Sequence, residues 1–251
     1  MSEIIVDKLS HTFGKGTSEA LTVLEDINLT FASESFTAIV GTSGCGKSTL
    51  LKMMAGLYAP TDGKISLDGV PITGTGRERG MVFQQDAVFP WMTVAKNISY
   101  GPRLRGAGAK ECAEIETKWI ELVGLQGFAN RWPRELSGGM RKRVDIGRVY
   151  ANDPDVLLMD EPFGALDAQT KERMQSDLQQ LWQVTGKTAV FVTHDLEEAI
   201  FLADRVIVLS ARPGRVHHTE TINLPRPRTA ETRLSEDLLE IKRKLWHLLE
   251  H

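Results

Sequence analysis

Thr37-Ala-Ile-Val-Gly-Thr-Ser-Gly-Cys-Gly-Lys-Ser48 is the stretch that decides the architecture of this chain. Thr37–Val40 is a short apolar run of the kind that forms a strand buried on both faces. It leads directly into Gly41-Thr-Ser-Gly-Cys-Gly-Lys-Ser48, which has the spacing G-x-x-x-x-G-K-[ST]. Helical character follows from Ser48 to Leu57 and stops at the Pro60–Gly63 turn. Between the strand and the helix, glycines let backbone N–H groups curl inward, and the helix N-terminus adds positive potential. That is a cradle for phosphate. Gly41, Thr42, Ser43, Gly44, Cys45, Gly46 and Thr49 make up its wall, Lys47 is placed for the β- and γ-phosphates, and Ser48 offers a hydroxyl to Mg²⁺. A chance match in a chain this long is about one in a hundred on average composition. ATP or GTP binding is therefore expected. Cys45 has two readings: a spacer valued for its backbone amide, or a thiol activated at a helix N-terminus and open to alkylation.

Before the loop, alternation over Ile4–Leu9 and Leu29–Phe36 suggests strands, with Gly14–Glu19 as the turn between neighbours. After it, Ile65–Leu67 and Met81–Phe83 read as strands flanking the glycine-rich Gly69–Gly80 segment. From about Ala87 to Asn152 the pattern becomes helical (Val94–Tyr100, Ala109–Val123, Ser137–Ala151), an insert in an α/β core. Alternation then resumes with strand Val156–Met159, helix Ala168–Thr185, strand Thr188–Thr193, helix Leu196–Ala203 and strand Arg205–Leu209. Strands separated by helices of this length imply a mainly parallel, covered sheet. Pro225-Arg-Pro-Arg228 reads as a linker into a last helix.

Val156-Leu-Leu-Met-Asp160-Glu161 is an apolar strand ending in two carboxylates. At such a strand end one carboxylate can hold the metal's water shell while the next faces the attacking water. Asp160 suits the Mg²⁺ role and Glu161 the general base. A lone acidic pair is usually two solvated side chains, but the phosphate loop upstream weakens that reading.

Together these residues resemble the ATP-binding-cassette (ABC) transporter ATPases, over about residues 3 to 215 and in the family's order. Leu136-Ser-Gly-Gly-Met140 with Arg141-Lys-Arg-Val144 is similar to the family signature. Gln84 falls at the lid glutamine, Asp167 of Ala165-Leu-Asp167 in the D-loop, His194 at the switch histidine, and Phe13 where an aromatic ring stacks on adenine. The resemblance implies a P-loop α/β fold of ABC ATPase type, with a mainly parallel core sheet, an N-terminal antiparallel β subdomain and a helical insert. It divides the chain into an ATPase domain at 1–215 (core about 1–86 and 153–215, helical subdomain about 87–152) and a C-terminal extension at 216–251. It also implies two subunits packed head to tail, so that Ser137, Gly138 and Gly139 cap the γ-phosphate of the partner's ATP. Gln84 then senses the γ-phosphate and Mg²⁺, Glu161 takes the proton of the lytic water, and His194 holds the γ-phosphate or that water.

Gly139-Met140, Phe89-Pro-Trp91-Met-Thr-Val94, Phe163–Asp167 and Leu209-Ser-Ala-Arg-Pro-Gly-Arg215 are similar to importers of the nitrate, sulfonate and taurine type. Such ATPases pair at the cytoplasmic face of the membrane beneath two integral permease subunits, fed by a periplasmic or extracellular solute-binding protein. Phe89, Trp91 and Met92 are then expected either to receive the permease's coupling helix or to pack inside the helical insert. The chain departs from the family where Ser33-Glu-Ser35 replaces a Gly-Glu turn. It departs again at Lys142, where glutamine is common, and at Asp145 and Gly147, where small apolar residues are usual.

Composition leaves room for this reading and narrows the others. The 251 residues are 41% hydrophobic and 25% charged, enough for a substantial core. A net charge of −3 gives no electrostatic reason to expect nucleic acid. No apolar run approaches the roughly 18 residues of a membrane span, and Met1-Ser-Glu-Ile-Ile-Val-Asp lacks the pattern of a signal peptide. Two cysteines, Cys45 and Cys112, fit a reducing compartment rather than a disulfide framework. Leu234, Leu238, Ile241, Leu245 and Leu248 form a narrow apolar stripe, with Glu240 and Lys244 as an i,i+4 pair beside it. The stripe packs on its own domain or makes a dimer or regulatory contact. The ending Leu249-Glu250-His251 resembles the start of a purification-tag scar and carries no functional weight. A non-transport ABC ATPase acting on nucleic acid or ribosomes is the main competing class, but it lacks support from long coiled-coil arms or a second cassette. A P-loop kinase or GTPase leaves Ser137–Gly139, Glu161 and His194 without purpose.

Overall fold

The computed structural model describes residues 2–250, with the side chain of Glu250 excepted. Met1 and His251 therefore lie outside the described residues, and of the tag-like ending only the Leu249 side chain is described, partly buried against the core.

The first sheet is antiparallel. β1 (Ile4–Phe13) pairs with β2 (Leu21–Phe31), and β1 also pairs with β4 (Asp62–Leu67), which carries the two-residue β5 (Val70–Pro71) at the edge. The expected strand at 29–36 is corrected: β2 begins at Leu21 and ends at Phe31, where the Ala32–Ser35 turn intervenes. Glu34 makes that turn in the left-handed region at φ 58°, a conformation usually left to glycine. Thr188 compensates, accepting a hydrogen bond from the Glu34 N–H through its Oγ1 at 3.0 Å.

The second sheet is built on β3 (Phe36–Gly41), which runs through the phosphate loop into α1 (Lys47–Met54). β6 (Arg79–Val82) closes this half of the chain. Four helices follow: α2 (Val94–Ile98), α3 (Tyr100–Leu104), α4 (Ala109–Leu122) and α5 (Gly138–Ala151). The single helix expected over 94–100 is broken at Ser99. Gly147 lets α5 lie close to α4, since a Cβ there would sit 3.2 Å from Val123. The chain then returns to the sheet through β7 (Val156–Asp160), α6 (Ala168–Thr185), β8 (Thr188–Val192), α7 (Leu196–Leu202) and β9 (Arg205–Leu209). Unforeseen from its polar sequence, β10 (Val216–Thr221) adds an antiparallel edge strand. The strand order is β10-β9-β3-β8-β7-β6, parallel except for β10.

Both faces of this sheet are covered, and the period-2 alternation of strands shows it. Ala38 and Val40, Leu157 and Met159, Ala189 and Phe191, and Val206 and Val208 join a core shared with the helices of the insert and the C-terminal region. Their neighbours Ile39, Val156, Leu158, Val190, Val192 and Ile207 join the core under α1 and the antiparallel sheet. Each of these side chains larger than alanine contributes about 1.5–3 kcal/mol by leaving water. Polar chemistry is thereby driven to the strand ends. Because β3, β8, β7 and β6 are parallel neighbours, their C-terminal ends deliver the phosphate loop, His194, Asp160–Glu161 and Gln84 to one rim.

The chain ends in α8 (Ala230–Arg233) and α9 (Glu236–Glu250). Leu238 and Leu245 of the apolar stripe are fully buried, and Ile241 and Leu248 pack partly against the same core, so the helix lies on its own domain. Leu234 is 82% exposed and stands apart from the stripe. Lys244 does not bridge to Glu240 but reaches across to Glu220 of β10 at 2.6 Å. Nor is Pro225–Arg228 a free linker: Arg226 lies over the Trp182 ring and pairs with Asp204 at 2.8 Å, and Arg228 is buried.

Candidate functional site

A cleft of about 520 Å³ opens at the strand-end rim, lined by Phe13, Leu21, Val23, residues of the phosphate loop, Gln84, Glu161, His194 and Arg212. Its floor is the loop. Gly46 turns at φ 105°, and a Cβ on it would lie 2.6 Å from Leu24, so only glycine fits. Gly41 is equally confined, by Cys45 Sγ and the Leu209 carbonyl. Ser43, Gly44, Gly46, Lys47, Ser48 and Thr49 face the cleft, whereas Gly41 and Cys45 are buried behind it and Thr42 is off its lining. Lys47 is held inward: its Nζ donates to the carbonyls of Gly41 at 2.8 Å and Thr42 at 3.0 Å.

Cys45 is fully buried, so the spacer reading stands and its sulfur is shielded from alkylating reagents. Iodoacetamide is expected to label Cys45 at least about 10-fold more slowly in the native protein than in urea, as read by mass spectrometry. Equal rates would mean that the loop exposes the thiol.

Opposite the loop, Ser48 donates its hydroxyl to Asp160 Oδ1 at 2.7 Å. Burial raises the Asp160 carboxyl above the usual range, opposed by the Ser48 hydrogen bond and by Lys52. Glu161 adopts φ 41°, a strained conformation for a non-glycine residue at the end of β7. Its Oε2 accepts from Gln84 Nε2 at 3.2 Å and lies 3.3 Å from His194 Nδ1. The structure thus gathers Lys47, Ser48, Gln84, Asp160, Glu161 and His194, drawn from four separate strand ends. No cluster of three or more His, Cys, Asp and Glu side chains among the described residues could hold a metal alone. The oxygens of Ser48, Gln84 and Asp160 suit a hard cation bound largely through substrate phosphate.

At the cleft's outer wall, Phe13 is half-exposed and meets His11 edge-on at 4.5 Å and Tyr58 at 6.2 Å. Leu21 and Val23 extend this apolar wall. Sequence reading missed them because β2 was placed too late. Arg212, within the Arg-Pro-Gly-Arg run, is a further site residue that local sequence does not single out; its Nε donates to the Gly44 carbonyl at 3.3 Å.

Ser137, Gly138 and Gly139 do not line this cleft. Ser137 caps α5 by accepting from the Met140 N–H at 3.3 Å. Gly138 instead faces a second cleft of about 590 Å³, shared with Gln84, Glu161, Leu166 and His194. Asp167 caps α6, accepting from the Thr170 N–H at 3.0 Å, and that bond holds its carboxyl below the usual range. Nearby, Asn97 is buried and pins the 89–93 segment: it accepts from the Phe89 N–H at 2.7 Å and donates to the carbonyls of Phe89, Met92 and Thr93. The result presents Trp91 at 67% exposure, while Phe89 is half-buried against Tyr100.

This geometry can be compared with known proteins. The family model described as ABC transporter matches residues 24–164. The chain belongs to the ABC transporter family. Its activity is ATP hydrolysis coupled to transport, and its fold is that of the ABC cassette: the dimeric bacterial ABC transporter cassette MJ0796 superposes with TM-score 0.77 at 32% identity, covering 88% of this chain and 100% of that one. A post-hydrolysis state of the same cassette bound to ADP and Pi gives the same score at 31% identity, with the same coverage. Among curated ABC relatives, the taurine import ATP-binding protein TauB of Pelagibacter ubique is 45% identical over 97% of this chain and 90% of its own length. The nitrate import ATP-binding protein NrtD of Synechocystis is 50% identical over 84% of this chain and 79% of its own. An uncharacterized ABC transporter ATP-binding protein of Methanocaldococcus jannaschii is 49% identical over 90% of this chain and 84% of its own. No helix among the described residues of this ABC protein is long and apolar enough to cross a membrane.

Proposed function

We propose that this chain is the ATP-hydrolysing, energy-coupling subunit of an importer for nitrate, a sulfonate, taurine or a related small solute. The observation that carries this reading is the similarity, over most of the chain, to ATP-binding subunits named for taurine and nitrate import. Two copies pack head to tail at the cytoplasmic face of the membrane, peripheral to two integral permease subunits, with a periplasmic or extracellular solute-binding protein upstream. Trp91, exposed beside Phe89 and Met92, meets the permease at the helical subdomain, residues 87–152. Co-purification with an integral membrane subunit, and stimulation of ATPase activity by one solute-loaded binding protein, test the importer reading. An ATPase rate indifferent to any such partner would overturn it.

Within the cleft, Phe13 stacks on adenine beside Leu21 and Val23. The loop N–H groups and Lys47 hold the phosphates. Mg²⁺, when bound, withdraws charge from the β- and γ-phosphate oxygens. Ser48, Asp160 and Gln84 hold that ion or its water shell. Glu161 removes a proton from the attacking water, and His194, 3.3 Å from Glu161, steadies that water or the γ-phosphate. The motif Ser137–Gly139 is off the lining of this cleft, and Gly138 lines the adjoining one, which supports its action on a partner's nucleotide. Closure is then favoured by ATP because both contact sets exist only in the dimer.

Ser137→Arg tests that arrangement. The isolated subunit is expected to bind MgATP within about 2-fold of wild type, while hydrolysis falls by about 10²-fold or more, as expected on losing a preorganised anion site. Loss of binding by the isolated subunit would instead assign the motif to its own nucleotide.

A further inference from the structure

The inward face of α5 carries two buried charged side chains, Lys142 and Asp145. Lys142 is 3% exposed and Asp145 is fully buried. Burying an ion costs several kcal/mol unless partners replace its water, so their partners reveal what they do. Lys142 Nζ donates to the carbonyls of Phe83 at 3.0 Å and of Gln84 at 3.3 Å. It also lies 3.4 Å from Asp86 Oδ1 and 3.7 Å from Asp145 Oδ2. That Asp145 oxygen accepts no hydrogen bond and is met by the Lys142 charge. Its other oxygen accepts from Arg148 Nη2 at 2.8 Å, and Arg148 also donates to the Ala87 carbonyl. Arg141 Nε completes the set, donating to Asp86 Oδ2 at 3.0 Å.

Three cations from one helix therefore grip four residues of the 83–87 segment, Phe83, Gln84, Asp86 and Ala87. Lys142 alone among them touches the backbone of Gln84, whose side chain reaches Glu161 at 3.2 Å. A continuous line of contacts runs from the helix headed by Ser137, through Lys142 and Gln84, to the carboxylate at the end of β7. A neutral side chain at 142 would leave Asp145 buried beside Arg148 alone. A short apolar residue at 145 would leave Lys142 with only Asp86 as an anion. Lys142 and Asp145 therefore work as a pair.

We propose that Lys142, braced by Asp145, is a positioning residue: it fixes the backbone of Gln84, and so the aim of Gln84 on Glu161, relative to the signature helix. The proposal rests on the reading of Gln84 and Glu161 as groups of the ATPase site. It touches neither nucleotide nor metal, so its effect falls on turnover rather than binding.

Lys142→Met keeps the length of the side chain and removes its charge and donors. In the full-length protein we expect kcat to fall about 10- to 100-fold, the scale on which a small misplacement acts, with the MgATP dissociation constant within about 2-fold of wild type. Lys142→Arg restores most of the rate. Lys142→Gln with Asp145→Ala together, which removes both charges and leaves an amide donor at 142, outperforms Lys142→Met. If Lys142→Met melts too early to assay, Lys142→Gln alone carries the comparison: turnover below about a tenth of the Lys142→Arg rate at unchanged affinity, raised again when Asp145→Ala is added, supports the role, and any smaller deficit overturns it. Wild-type kcat in Lys142→Met, or parallel loss of binding and rate without rescue by arginine, overturns the positioning role. Those results leave the ATPase reading intact as long as Glu161→Gln is inactive. If Glu161→Gln turns over normally, the underlying reading has failed instead.

Discussion

Glu161→Gln is expected to lower ATP turnover by about 10²- to 10⁴-fold, the usual contribution of a positioned general base, while MgATP still binds. The substitution keeps shape and changes one property, the ability to take a proton. Glu161 is well placed for that task. Its Oε2 sits between Gln84 at 3.2 Å and His194 at 3.3 Å, at the end of a fully buried strand and directly after the carboxylate bonded to Ser48. Its φ of 41° is held by the surrounding chain, since its N–H donates to the Val192 carbonyl at 2.9 Å. Lys47 and the loop amides do not depend on it, so binding persists and the nucleotide is trapped unhydrolysed. A dimer that appears on size exclusion only with MgATP, combined with loss of phosphate release, is the expected pair of results. Wild-type turnover would remove Glu161 from the role.

The largest expected effect on stability is Arg228→Ala, at about 3 kcal/mol, the cost of unpairing a buried charged network. The Arg228 Nη1 donates to the carbonyls of Ile200 and Ala203, both at 2.7 Å, and of Phe201 at 3.2 Å, which are carbonyls at the end of α7. Nε also donates to the Leu224 carbonyl at 3.4 Å. A cation at this helix end also meets the negative pole of the helix dipole. Gln179 clasps the Arg228 backbone from both sides, accepting at 3.0 Å and donating at 2.8 Å. Burial, with Arg226 nearby, pushes the guanidinium down to about 10, so it stays charged at neutral pH. Its stability contribution is therefore constant across the physiological range. For a chain of this length the loss corresponds to a Tm lowered by about 6–12 °C, measurable by differential scanning fluorimetry. Arg228→Lys, which keeps the charge without the planar fork, falls between. A change below about 1 °C would show that water replaces the guanidinium at no cost.

Arg228 also illustrates where sequence reading fails. Pro225-Arg-Pro-Arg228 has the composition of a linker, and nothing local distinguishes a solvated arginine from one that caps a helix 28 residues earlier. β10 escaped for a related reason: Val216–Thr221 alternates too weakly to signal a strand, and it forms because β9 offers an open edge. The bounds of β2 slipped because strand alternation says little about where a turn falls, and the turn depends on Thr188, 154 residues away from Glu34. Lys142 and Asp145 are visible as departures, but the carbonyls that Lys142 meets, those of Phe83 and Gln84, lie some 60 residues away, and Asp145 pairs with Lys142 and Arg148 only once that helix is packed.

The phosphate loop, the acidic pair and the alternation of strands and helices over 156–209 were determined by sequence alone, because each is a local pattern. Glycine at a left-handed turn, an apolar run ending in carboxylates and a 3.6-residue period are dictated within a few residues of themselves. Tertiary structure decided everything that requires two distant segments to meet. Parallel pairing of β3, β8, β7 and β6 brings Lys47, His194, Glu161 and Gln84 to one rim, closing loops whose ends are far apart in sequence. It also keeps Ser137–Gly139 off the lining of the nucleotide cleft, with Gly138 on the second cleft beside Glu161 and His194, buries Cys45, and sets Lys142 on the backbone of Gln84. These are consequences of packing both faces of one sheet, and no short stretch of the chain contains them.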